Sequence, residues 1–202
     1  MVDFGSVRSI AILVFPDVEE LDFVGVHEVL GNCSRMAEEG ELKLDRPIHV
    51  DIVATESPIL CRNGLKVVPS NVASDFSSYD MLVVPGGRGI RALMGNEQFL
   101  QILREYAQDH LVCSVCTGSL VLGAAGVLRG KSALTHNWYS NELAEYARVA
   151  TGRVCVDGNI VTGAGISSSI DVGLKLLELL YDKSVARKVA ERLELPATYY
   201  PS

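Results

Sequence analysis

Short apolar runs recur along the chain, and most are followed by a segment whose apolar residues fall three or four apart. Arg8 to Phe15 (RSIAILVF) is the first run. Its continuous apolar character is that of a strand buried on both faces in a parallel sheet, and Pro16 closes it. Asp17 to Met36 then predicts a helix with Leu21, Val24, Val29 and Leu30 roughly on one face. His49 to Ala54 predicts a second strand, and Ile59 to Val68 a β excursion turning at Asn63-Gly64. Met81 to Val84 is strand again, ended by Pro85-Gly86-Gly87. Glu97 to Gln108 predicts a helix, Leu111 to Val115 a strand, and Thr117 to Leu128 a helix.

Further on, Ser132 to Thr135 predicts a short strand and Ser140 to Ala147 a short helix. Val154 to Val156 and Asn159 to Thr162, joined through Asp157-Gly158, predict a hairpin. Ser168 to Tyr181 and Val185 to Leu193 predict helices, and the tail carries Pro196 and Pro201. Strands alternating with helices define an α/β layered fold with a mostly parallel sheet. Ligands in such sheets bind outside the carboxyl ends of the strands. Cys116, Gly86-Gly87 and the acids after Pro16 all fall at such ends.

Composition narrows the classes. The 202 residues suggest a single domain over 1–202, long enough to bury roughly 70% of the surface of its unfolded chain without staples. The net charge of −7, with no basic run, argues against nucleic acid or anionic membrane as a partner. No apolar stretch is long enough for a membrane span. The opening MVDFGSVRSIAILVF reads as a first strand rather than a signal peptide. Cys33, Cys61, Cys113, Cys116 and Cys155 are odd in number and scattered, which fits a reducing, cytoplasmic setting better than a disulfide framework. The histidines His27, His49, His110 and His136 form no ligand pair and no second C-x-x-C is present, so no metal is expected, and nucleophilic chemistry at a thiol requires no organic cofactor.

The chemistry concentrates in LVCSVCTGSLVLGAAG, Leu111 to Gly126. A strand runs into Cys116 and a helix begins at once, an elbow that presents a nucleophile to the first helical N–H groups. The helix start favours thiolate, the reactive form. The alternative, a structural cysteine, fits Cys113 better. Cys113 falls within the strand, too far for a disulfide with Cys116 and pointing to the other face. Asp22 is a candidate proton relay, although an acid early in a helix also has a purely electrostatic explanation, as for Asp17 and Glu19. Gly86 and Gly87 could offer N–H groups as an oxyanion hole or form only a turn. Arg88 and Arg91 read as solvated. His136 is the histidine best placed to reach a thiol, or a strand-end residue with a local hydrogen bond.

Taken together, IAILVFPDVEELDFVGVHEVL, DMLVVPGGRGIRAL, SVCTGSLVLGAAGVLRGKSALTH and DGNIVTGAGISSSIDVGLKLLE resemble the ThiJ/PfpI superfamily, whose fold is similar to that of class I glutamine amidotransferases. The resemblance implies a flavodoxin-like three-layer sandwich, a cysteine nucleophile elbow at Cys116 and a homodimer. Within the superfamily the chain is most similar to the isocyanide (isonitrile) hydratase branch. That likeness implies Thr117 after the nucleophile, an acid beside the thiol at Asp22 in LDFVG, and Ile166 lining the pocket. It further implies hydration of a small-molecule isonitrile to an N-substituted formamide, with Thr117 and Gly87 N–H groups stabilising charge. Peptidase-like members carry histidine directly after the cysteine, where this chain has Thr117, and deglycase-like members carry glutamate where Asp22 falls. The same cysteine signature occurs in AraC-type regulators, which continue into a DNA-binding domain, whereas this acidic chain stops at Ser202. Ala164 departs from the hydratase pattern, where glycine is common, and the tail is short. Conversion of 2-oxoaldehydes and non-catalytic redox or ligand sensing remain open alternatives, since all three use the same elbow.

Overall fold

A computed structural model of the protein describes residues 3–196 and Tyr199; the end of the tail, including Pro201, lies outside the described residues. The first half alternates as expected. Strand β1 (Ser9–Leu13) leads into helix α1 (Glu20–Glu38), then β2 (His49–Ala54). A small antiparallel excursion, β3 (Ile59–Leu60) with β4 (Lys66–Val67), follows, and then β5 (Asn71–Val72). Next come β6 (Met81–Val84), α2 (Ile90–Met94), α3 (Glu97–Asp109), β7 (Leu111–Ser114) and α4 (Gly118–Ala124). The rest comprises β8 (Ser132–Ala133), α5 (Ser140–Leu143), β9 (Arg148–Val149), β10 (Val154–Asp157), β11 (Ile160–Gly163), α6 (Ser168–Leu180) and α7 (Lys183–Arg192).

Seven strands form the central sheet in the order β10-β11-β7-β6-β1-β2-β5. Every pairing in it is parallel except the β10–β11 hairpin. Strands β1, β6 and β7 are buried almost end to end, which is why they read as unbroken apolar runs. Helices α1, α6 and α7 pack on one another, and α2, α3 and α4 form a second group, giving a flavodoxin-like α/β sandwich. The closest helix contact joins α1 and α6. A side chain at Gly25 would put its Cβ 2.1 Å from Ser169 Oγ, so only glycine lets these helices approach.

The order of strands sets the site. From β1 the chain moves to β2 on one side, and β6 and β7 then fill the other. Beyond the carboxyl ends of β1 and β6 lies the crevice that this reversal opens.

Three local expectations are corrected. The helix expected from Asp17 begins at Glu20: Asp17 takes φ 61°, Val18 bridges Gly87, and Glu19 holds the cap position. Asp17 and Glu19 are therefore not first-turn acids, whereas Asp22 is. The helix expected to reach Leu128 stops at Ala124. Gly126 adopts φ 80°, its N–H donates to Gly123 O, and Val127 N–H donates to Leu122 O. That is a glycine stop that closes the helix on its own carbonyls. The helix expected to reach Ala147 spans Ser140–Leu143, and β9 follows.

Candidate active site

The carboxyl ends of β1, β6, β7 and β11 bring their loops to one point. Cys116 stands there at φ 55°, a left-handed conformation that a cysteine adopts only under constraint. Its N–H donates to Ala164 O at 2.8 Å, and its carbonyl accepts from Thr135 Oγ1 and Ser119 Oγ at 3.1 and 3.2 Å. Below it Gly118 lies against β6. A Cβ there would sit 2.0 Å from Val84 O, so the turn into α4 closes only over glycine. Since residue 116 is held in the left-handed region, glycine should suit it better than alanine. Urea unfolding should find Cys116→Gly about 1 kcal/mol more stable than Cys116→Ala, reversing the usual order of the two residues. Equal or lower stability of the glycine variant would show that the turn carries no strain.

Asp22 is fully buried, and its Oδ2 accepts a hydrogen bond from Gly86 N–H at 2.8 Å. The other oxygen, Oδ1, has no oriented partner, and the polar side chain that interacts with the carboxyl is the Cys116 thiol. Thr117 completes the cluster: its hydroxyl accepts from Gly87 N–H at 3.2 Å, and its own N–H points at the Cys116 sulfur, as does that of Ile166. Packing at Gly86 is tight enough that a Cβ would lie 2.6 Å from Thr117 Oγ1 and 2.9 Å from Asp22 Oδ2.

Burial dominates the electrostatics. It pushes the Asp22 carboxyl from 3.8 up to about 8, with the Glu19 charge adding to the rise and Gly86 N–H and the thiol opposing it. Burial and then the Asp22 charge push the Cys116 thiol from 9.0 up to about 12, against the two N–H groups aimed at its sulfur. The expected preference for thiolate at the helix start is thus reversed in the resting site, because Cys116 is buried and the Asp22 carboxyl lies beside it. Near pH 7 the carboxyl holds its proton. A neutral Asp22 removes the repulsion that opposes thiolate, so the reactive ion forms facing a carboxylic acid.

The structure therefore brings together Cys116, Asp22, Thr117, Gly86, Gly87 and Ile166. It alters what the glycines do. The N–H groups expected to form an oxyanion hole are engaged, Gly86 with Asp22 and Gly87 with Thr117. Ile166 contributes its backbone N–H as well as lining the cavity. Cys113 is wholly buried in β7, and all five cysteines are free.

A cavity of about 230 Å³ opens over the sulfur. His136 lines it, but its Nδ1 accepts from Trp138 N–H at 3.2 Å, so the neutral ring carries its proton on Nε2. The polar groups acting on the sulfur are Asp22 and the two N–H groups, and His136 is not one of them. Sequence reasoning missed the rim. Glu19, Arg62, Trp138 and Tyr139 line the cavity, and Arg91, expected to be solvated, makes a two-pronged ion pair with Glu142. The run of Trp138 and Tyr139 after His136 was a signal for the rim; the Arg91 pairing had none.

An α/β sandwich with a left-handed cysteine at a strand-to-helix elbow, and a buried acid beside it on the first helix, defines a class of cysteine-elbow proteins. The model of the DJ-1/PfpI family matches residues 8–179, and the chain belongs to that family. It is 38% identical over 191 residues to the isonitrile hydratase of Pseudomonas putida, an alignment covering 92% of this chain and 78% of that protein. It is 26% identical over 195 residues to dj-1beta of Drosophila melanogaster, covering 92% of this chain and 96% of that one. Among solved structures, a ThiJ/PfpI family protein from Pseudomonas syringae superimposes with a TM-score of 0.79 at 30% identity, over 100% of this chain and 78% of the other. Among the described residues no helix is long and apolar enough to cross a membrane.

Proposed function

We propose that the protein is an isonitrile hydratase. The observation that carries this reading is the pairing of a buried, proton-holding Asp22 with the elbow thiol of Cys116. The 38% identity to a relative of that name supports it.

Hydration of an isonitrile, R–N≡C, needs a nucleophile for the terminal carbon and a proton for the same atom. Once the Cys116 thiol has released its proton to solvent through the cavity, the sulfur forms a bond to that carbon as one carbon–nitrogen π bond opens, and Asp22 delivers its proton to the carbon, giving the thioimidate R–N=CH–S. The Asp22 carboxylate then takes a proton from water. The hydroxide so formed bonds to the carbon, and the proton passes to nitrogen. The carbon–sulfur bond breaks with its electron pair leaving on sulfur as the hydroxyl becomes a carbonyl, the hydroxyl proton restores the Asp22 carboxyl, and R–NH–CHO leaves. One water is consumed and nothing is oxidised or reduced. The Thr117 and Ile166 N–H groups stabilise negative charge on sulfur as it attacks and as it departs. A cavity of about 230 Å³ suits a small organic substrate and requires no cofactor for this sequence. Five unpaired thiols suit a reducing, cytoplasmic setting, and a homodimer is proposed on family likeness.

Assays of p-nitrophenyl isocyanide and methylglyoxal side by side test the reading. Formamide production with negligible loss of methylglyoxal is the expected result. Turnover of methylglyoxal alone would move the protein to the 2-oxoaldehyde alternative. Turnover of neither, with Cys116 oxidised to sulfenic or sulfinic acid by mild peroxide, would favour a sensor.

A further inference from the structure

Charges around the cavity cancel in pairs, with one exception. Arg62 lies 3.6 Å from the Glu19 carboxylate, and Arg91 is held by both oxygens of Glu142. Arg88 lines the same cavity and is exposed, and among the described residues its side chain has no ion pair or hydrogen bond. Asp22 is protonated near neutral pH, so it does not offset this charge.

The backbone that presents Arg88 is fixed on both sides. Gly86 O accepts from Glu19 N–H at 3.0 Å, Gly87 bridges Val18, and Gly89 N–H donates to Asp17 O at 3.3 Å. A Cβ at Gly89 would sit 2.0 Å from Pro16 O, so the loop is packed without slack. A free cation on a rigid loop at the mouth of the reactive thiol is out of keeping with a chain of net charge −7. Such a chain repels anions at long range, and a local cation is the means of admitting one.

We propose that Arg88 is a specificity residue and that the substrate class is isonitriles bearing a carboxylate at the end remote from the reacting carbon. This rests on the hydratase reading. The carbon end enters the cavity over Cys116, and the carboxylate stays at the rim, where it pairs with the guanidinium.

Two compounds of nearly equal shape test it, γ-isocyanobutyrate and its neutral amide, γ-isocyanobutyramide. The wild type should favour the acid in kcat/KM by about fivefold at low salt, the range of a partly exposed ion pair. The preference should shrink as salt is raised. Arg88→Gln should bring the ratio to about one, mainly through KM, and Arg88→Lys should restore part of it. Hydration of the amide as fast as the acid by the wild type would overturn the proposal while leaving the hydratase reading intact. So would a preference that survives Arg88→Gln. If neither compound is hydrated while p-nitrophenyl isocyanide is, the proposal is overturned and the hydratase reading stands; if none of the three is hydrated, the hydratase reading fails, and binding decides the role of Arg88. Trp138 is the only tryptophan of the chain and lines this cavity, so its fluorescence reports on the rim. Tighter binding of γ-formamidobutyrate than of its amide, lost in Arg88→Gln, would uphold an anion-selecting Arg88. Equal binding of the two would overturn it.

Discussion

Cys116→Ser will hydrate p-nitrophenyl isocyanide at least about a thousandfold more slowly than the wild type, with an unchanged far-ultraviolet circular dichroism spectrum. The expectation follows from the absence of a base acting on residue 116. An alcohol is a far weaker acid than a thiol and needs a partner to take its proton. Here the side chain facing the sulfur is a carboxyl that already holds one. The Thr117 and Ile166 N–H groups would stabilise an alkoxide, but nothing in the site would generate it. Formamide accumulation followed by chromatography checks the result, and retention of full turnover would remove Cys116 from the chemistry.

Asp22→Asn should lower turnover by a factor on the order of 10² to 10⁴, the usual yield of a positioned acid–base group. The amide still accepts from Gly86 N–H but has no proton to lend. The same variant has a second, independent signature in stability. The Asp22 carboxyl is raised from 3.8 in the unfolded range to about 8 in the folded protein, chiefly by burial. A raised folded value means that the native state keeps a proton the unfolded chain has released. The stabilisation is complete below pH 4 and is lost as the pH rises through 8, at up to about 1.4 kcal/mol per pH unit. Asp22→Asn lacks this loss. Its urea midpoint should therefore improve relative to the wild type between pH 5 and pH 8. Parallel curves would show that Asp22 is already ionised in the native protein.

Both predictions depend on a contact that the sequence expressed only in part. Strands β1, β6 and β7 were legible because burial on both faces leaves an unbroken apolar run, β2 because Val50, Ile52 and Val53 favour a strand although His49 is exposed and Asp51 half-buried, and the elbow because Cys116 follows such a run directly. Strand β5, Asn71–Val72, is an exposed edge pair with no apolar pattern to reveal it. Helix α2 is a single short segment after a glycine loop. The stop at Gly126 was written in the chain, but a glycine inside an apolar helical pattern declares itself only once its φ is known.

The site divides along the same line. Cys116, Asp22 and Thr117 could be named from residue type and family likeness, but the direction of an N–H group is not a property of spacing. Gly86 and Gly87 were therefore given the wrong receivers, and Ile166 was read as a wall when its backbone also serves the sulfur. The thiolate expectation failed for a related reason. A helix start favours the anion only as far as solvent and neighbouring charge allow, and here the neighbours arrive from α1 and from the loops after β6 and β11.

The clearance at Gly118 has a consequence for how this protein can change over generations. With Val84 O only 2.0 Å from where a Cβ would be, no side chain is admissible beneath the elbow. The floor of the site is thereby closed to variation. On the proposed hydratase reading, new substrates are reached by drift at the rim, where the side chains of Arg88 and Trp138 are exposed. Reaction chemistry and substrate choice are lodged in different parts of the molecule, and only the second is free to be inherited in altered form.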